Sequence, residues 1–219
     1  MITIGIDTGT QTVKMVVLRD DAACALTTGS PETGVASCQA NSSSKIQRRR
    51  VVFVVHGRNA RARDAIFTFL RSIDLYPFEW AEAVARTGHA TPYIGQVLDA
   101  AFSFARAILV LMTPDDEGHL RENFREAGEP PHETELTGQP RLNVVFEAGM
   151  AMGRLGDRTI IVEMGTLRPF SDFEGRHVIK LNNSTQRRQE LAGRLRTAGC
   201  PVNLTGTAWH TAGDFDSYV

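Results

Sequence analysis

A chain of 219 residues with formal net charge −1, 42% hydrophobic and 22% charged, can bury a real core and has no basic excess with which to address nucleic acid directly. Its longest apolar run, residues 107–112, is too short to span a bilayer, and an N-terminus broken by Asp7 and Lys14 lacks a signal-peptide core. A cytoplasmic protein without membrane contact is therefore expected, and Cys24, Cys38 and Cys200, odd in number and without a CxxC pair, indicate neither a disulfide framework nor a zinc site.

In chain order, residues 1–20 form a short apolar head that reads as a hairpin-like extension. Residues 22–44 are rich in Thr, Ser, Gly, Ala and Asn and have little to bury, so 21–50 is expected to be a flexible linker ending at Arg48, Arg49 and Arg50. The main domain is assigned to 51–205 and a short C-terminal tail to 206–219. Within the domain, VVFVVHG (51–57) predicts a strand, and Ala65, Ile66, Phe69, Leu70 and Ile73 recur at helix spacing after it. A short extended piece at 76–80 and a Gly/Thr/Pro loop precede a helix at 94–105, with Ile94, Val97, Leu98, Ala101 and Phe102 on one face. AILVLMTP (107–114) is a fully apolar strand halted by proline, and 113–143 reads as a long polar loop, a lid or insertion. A helix around Glu147, strands at 158–165 and 177–181, and a helix at 185–198 complete the pattern.

Apolar strands alternating with amphipathic helices predict an α/β, flavodoxin-like, doubly wound five-stranded parallel sheet with a short N-terminal hairpin extension. Ligands on such sheets bind outside the carboxyl ends of the strands, where strand order reverses, which selects the loops 56–59, 80–91 and 113–143.

Three segments in those loops carry candidate chemistry. His56, Gly57, Arg58 and Asn59 leave the first strand and open a helix, so backbone N–H groups and Arg58 can face an anion such as a pyrophosphate; a tight turn with a solvated arginine is the plainer alternative. Thr113, Asp115 and Asp116 lie just past the central strand, where the acids either accept ribose hydroxyls or are ordinary loop acids. Glu147 stands among Val144, Val145, Phe146, Ala148 and Met150, where an isolated carboxylate is costly to bury. Helix spacing puts it on one face with Asn143 and Ala151, looking into the cleft, with Val144, Phe146 and Met150 toward the core and Ala148, Gly149 and Ala151 leaving room for a ligand. Trp80, expected at the end of the second strand, either stacks on a base or packs in the core. The six histidines are scattered, so no metal site is expected, and no G-x-S-x-G elbow supports a serine triad.

VFVVHGRN, AILVLMTPDDEG, RLNVVFEAGMAMGRLGDRTIIVEMG and SDFEGRHVIKL together resemble the bacterial TIR-like predicted nucleotide-binding proteins, the TIR domains of cyclic-oligonucleotide (CBASS) and cyclic-pyrimidine (Pycsar) antiphage effectors, over roughly residues 50–183. That resemblance implies an NAD+ nucleosidase with Glu147 as its catalytic acid, NAD+ as substrate with no cofactor, and Arg58 with the Thr113–Asp116 loop lining the nucleotide pocket. It also implies self-association through TIR surfaces and activation by a separate sensor protein or a cyclic-nucleotide signal, since 1–50 is too short for a sensor domain. Cleavage of the nicotinamide–ribose bond passes through an oxocarbenium-like sugar with a leaving group already cationic in NAD+, so one carboxylate is enough. Two other readings stay open: a non-catalytic TIR module that binds nucleotides or other TIR domains, and a nucleoside deoxyribosyltransferase-like enzyme. Separately, IGIDTGTQTVKMVVL, with Asp7, Gly9, Thr10 and Lys14, resembles the first phosphate-binding hairpin of the sugar-kinase ATPase superfamily; those enzymes need two large lobes, so a non-functional fragment is expected.

Overall fold

The computed structural model describes residues 4–7, 14–19, 22–26, 48–170, 175 and 177–217, in two compact units, 1–47 and 48–219. In the first unit, β1 (Ile4–Asp7), β2 (Lys14–Arg19) and β3 (Ala22–Leu26) form an antiparallel sheet in that order. The expected β1–β2 hairpin is there, with Asp7 opposite Lys14, while Gly9 and Thr10 lie outside the described residues. β3 corrects the linker boundary, because it falls in the stretch whose composition predicts no structure. Backbone pairing along the free edge of β2 satisfies N–H and C=O groups without needing bulky apolar side chains.

The second unit runs β4 (Val51–His56), α1 (Ala60–Ser72), β5 (Tyr76–Phe78), α2 (Trp80–Arg86), α3 (Ile94–Phe104), β6 (Ala107–Met112), β7 (Asp116–Gly118), α4 (Pro131–Thr134), β8 (Thr137–Gln139), α5 (Leu142–Leu155), β9 (Thr159–Glu163), β10 (Ile179–Lys180) and α6 (Thr185–Thr197). Five strands form one parallel sheet in the order β10-β9-β6-β4-β5, the doubly wound, flavodoxin-like arrangement. Strand order reverses between β4 and β6, whose carboxyl ends lie side by side with His56 opposite Leu111.

Continuous apolar runs form the central strands because helices cover both faces. Val52, Val54, Leu109, Leu111 and Val162 face α1 and α6, while the alternate residues Phe53, Val55, Ile108, Val110 and Ile161 face α3 and α5. Two stretches differ from the sequence reading. The polar segment after β6 contains the antiparallel pair β7–β8 and the single-turn helix α4, tied back by an Arg168–Glu133 ion pair and by the Arg168 N–H donating to the Gly138 carbonyl at 2.7 Å. The stretch 206–219, read as a tail, helps to close the core through its described residues 206–217: Trp209 and Phe215 are buried against the α1–α6 layer. Gly213, at φ +75°, permits that closure because a Cβ there would overlap the backbone of Ala65.

Among the described residues, no helix is long and apolar enough to cross a membrane.

Candidate functional site

α5 starts at Leu142 and buries Val144, Ala148 and Ala151, a stripe at i, i+4 and i+7, against the sheet. Glu147 stands beside that stripe rather than within it, so its carboxylate reaches a cleft of about 250 Å³. The walls of the cleft are Phe53 to Arg58 from β4 and the turn after it, Trp80 from the start of α2, and Arg141, Asn143, Val144 and Glu147 from α5 and its N-cap. The cleft therefore opens at the carboxyl end of β4, beside the point where strand order reverses.

No hydrogen bond or ion pair holds the Glu147 carboxylate among the described residues, and burial pushes its pKa from the ordinary 4.5 up to about 7. Arg58 and Arg141 line the same cleft without contributing to that shift. The cleft thus gathers two cationic side chains and one solitary, partly buried acid. Such an acid is poised to stabilise positive charge that develops beside it.

Six of the residues singled out in the sequence line this cleft together: His56, Gly57, Arg58, Trp80, Asn143 and Glu147. His56 Nδ1 lies 2.8 Å from the Gly57 carbonyl, a partner that requires the proton on Nδ1, and its ring packs edge-on against Phe67. Trp80 opens α2 rather than ending β5, which places its half-exposed ring at the mouth.

The remaining candidates do other work. The Asn59 side-chain oxygen accepts from the Ala62 N–H at 3.0 Å and so caps α1. Thr113 is only 2% exposed, which removes it from ligand contact, and its hydroxyl donates to Asp115 Oδ1 at 2.6 Å. Asp115 Oδ2 accepts from the backbone N–H groups of Arg58 at 2.5 Å and Asn59 at 3.3 Å. The anion at this helix N-terminus is therefore the protein's own carboxylate, which corrects the expectation of a phosphate on these amides and of a ribose on Asp115. Asp116 lies in β7, its Oδ2 4.0 Å from Arg141 Nε, and is not part of the cleft wall.

Two features of α5 also differ from the periodicity argument. Phe146, assigned to the core, is 62% exposed, because the buried stripe is set by 144, 148 and 151. Ala148 and Ala151 do not make room for a ligand; they let α5 approach the sheet, and both are fully buried. Arg141 is the cleft residue that sequence reasoning passed over. Its only local signal is its place at the N-cap of the helix carrying Glu147, where an arginine ordinarily reads as solvated.

A larger cavity of about 350 Å³, lined by Leu142 and Val145 together with Met112, Glu163 and Phe170, lies on the opposite side of the first turns of α5. None of the sequence candidates lines it, and it lacks Glu147, so the chemistry points to the smaller cleft. Among the described residues no group of three or more His, Cys, Asp or Glu side chains is placed to hold a metal ion.

A family model described as CAP12/Pycsar effector protein, TIR domain, matches residues 51–183. That span runs from the first residue of β4 to two residues beyond the last strand-end leucine, Leu181, and includes every residue of the cleft. No curated protein matches the chain.

Proposed function

The chain belongs to the TIR-domain family of CAP12/Pycsar effectors, and from that premise we propose that it is an NAD+ glycohydrolase in which Glu147 acts on the nicotinamide–ribose bond. The observation that carries this reading is the solitary Glu147 carboxylate, its pKa raised by burial, in the same cleft as Arg58 and Arg141. NAD+ has the matching division of charge: a cationic pyridinium on one ribose and an anionic pyrophosphate beyond it. With the diphosphate at the arginines, the anomeric carbon lies toward Glu147, and the face of Trp80 offers the nicotinamide ring a stacking partner.

As the C–N bond breaks, the electron pair leaves with nicotinamide and positive charge spreads over C1 and the ring oxygen of the ribose. An ionised Glu147 stabilises that charge more strongly than it stabilises the ground state, because its partial burial weakens solvent screening and no group among the described residues pairs with it. Water then adds at C1, giving ADP-ribose, nicotinamide and one proton. A cationic substrate also favours the ionised form of Glu147, so binding itself charges the acid.

The cleft is smaller than the roughly 300–1,000 Å³ of a site that encloses a drug-sized ligand. Self-association is part of the same proposal, since a second copy would complete the enclosure. Leu142, 74% exposed, and Phe146, 62% exposed, lie one turn apart on the helix that carries Glu147, on the face turned away from the cleft, and are the exposed apolar surface of that helix. The working location is the cytoplasm, with a separate sensor protein or a cyclic nucleotide as trigger.

The test follows free nicotinamide released from NAD+ by the full chain at high protein concentration or with a crowding agent. Wild type is expected to turn over and Glu147→Gln to lose activity by about a thousandfold. For wild type, kcat/KM is expected to rise with pH and level off above about 7, as the free enzyme's carboxylate ionises. Turnover that survives in Glu147→Gln removes this acid from the reaction.

A further inference from the structure

The turn after β4 has the form of an anion site: behind Gly57, the N–H groups of Arg58 and of Asn59, the N-cap of the 13-residue helix α1, point to one position. Its occupant is nevertheless internal. Asp115 comes from the far side of the β4–β6 junction and places Oδ2 on the Arg58 and Asn59 amides, while Thr113 holds Oδ1 from behind at 2.6 Å. Gly57 belongs to the same device, since a Cβ there would overlap the Asp115 carboxylate. Four residues from two strand ends thus converge on one carboxylate, and Arg58 is left with its backbone bound and its exposed side chain turned to the cleft.

We propose that Asp115 is a positioning residue for the cleft: it fills the anion position of the turn with the protein's own charge. A phosphate-bearing substrate is consequently taken by the Arg58 and Arg141 side chains at the rim and kept off the backbone amides. Two consequences follow from simple electrostatics. A carboxylate bound to two N–H groups repels any second anion brought to the same amides, so free phosphate finds no seat there. The diphosphate of a dinucleotide is also held farther out than in a site built on a bare helix N-terminus, which fixes how deep its ribose can reach toward Glu147. Where the phosphate belongs to NAD+, this placement rests on the glycohydrolase reading above; exclusion of a free anion from the turn does not.

The two parts are separated by one pair of experiments on the full chain. In the first, the backbone amide resonances of Arg58 and Asn59 are followed while inorganic phosphate is added to wild type and to Asp115→Ala. Wild-type amides are expected to stay in place and those of the variant to move saturably, because removal of the carboxylate opens the seat. Equal movement in both folded proteins, or silence in both, overturns the proposal. Should Asp115→Ala fail to fold, Asp115→Ser replaces it, removing the charge and shortening the side chain so that the two amides are open, while keeping a hydroxyl for Thr113.

In the second experiment, NAD+ cleavage is measured with and without inorganic phosphate. Asp115→Ala is expected to lose about 10- to 100-fold in kcat through misplacement of the ribose, with phosphate becoming a competitive inhibitor of the variant and not of wild type. A purely structural role lowers the amount of folded protein but creates no phosphate inhibition, and that result counts against positioning. If wild type cleaves no NAD+, the amide titration still decides whether Asp115 keeps anions off the turn.

Discussion

Arg188 and Glu147, two ionisable side chains of the second unit whose pKa values burial shifts, are treated in opposite ways. Arg188 on α6 is 1% exposed, and its guanidinium donates to the Asn183 carbonyl and side-chain oxygen and to the carbonyls of Ala212 and Gly213, with Phe215 stacked against it at 4.5 Å. Burial lowers its pKa while Asp216 and Asp214 oppose that shift. Glu147 on α5 is less deeply placed and has no partner among the described residues, and burial raises its pKa to about 7. A fully partnered charge ties the segment at 212–215 to the fold; an unpartnered one is a cost that protonation or a ligand offsets. Burial alone does not separate a structural ion from a reactive one, and the accounting of partners does.

The largest expected effect that sharpens this contrast is catalytic: Glu147→Gln abolishes nicotinamide release, whereas Arg188→Leu leaves the activity of whatever protein remains folded unchanged per molecule. Next in size is the stability of that second variant. Loss of Arg188 strands several buried carbonyls and the Phe215 ring, so Arg188→Leu is expected to cost about 3–5 kcal/mol in denaturant unfolding. A cost under about 1 kcal/mol would put the two side chains in one class.

Glu147→Gln should move stability the other way, and only at higher pH. The acid's pKa in the folded protein is raised above its ordinary 4.5, so the folded state holds its proton more tightly. That contribution is complete below about pH 4.5 and is lost as pH rises through about 7. At pH 8 the variant is therefore expected to be more stable than wild type by about 1–2 kcal/mol, discounted for solvent screening of a half-exposed group, and the gain should vanish near pH 4. A pH-independent difference would mean that desolvation of the charge is not its source. The smallest effect is at the cap: Asn59→Ala should cost about 1 kcal/mol, because the Ala62 N–H loses its acceptor.

Much of the fold was legible because the patterns that encode it are local. VVFVVH and AILVLM are apolar on every position, so they belong between two helical layers, and the helix spacing of Ala65, Ile66, Phe69 and Leu70 supplies part of one such layer. Glu147 was legible as an anomaly, an acid in an apolar helix, and the cleft lines it up with His56, Arg58, Trp80 and Asn143. Arg141 was not legible, because nothing near it in the chain distinguishes a rim cation from a solvated one. Nor was the buried status of Trp209 and Phe215, since a polar, glycine-containing tail gains its apolar anchors only when the α1–α6 layer exists to receive them.

The sequence by itself determined the order and type of the sheet's elements, the family, and the residue whose position demanded an explanation. Tertiary structure alone decided what meets that residue. Helical periodicity is accurate only to a face, which is why Phe146 came out exposed and Ala151 buried beside the acid. Loop contacts such as Asp115 on the Arg58 and Asn59 amides join positions 57 and 56 residues apart. No local pattern encodes such pairings, because they exist only once β4 and β6 lie side by side and bring their carboxyl ends within hydrogen-bond reach.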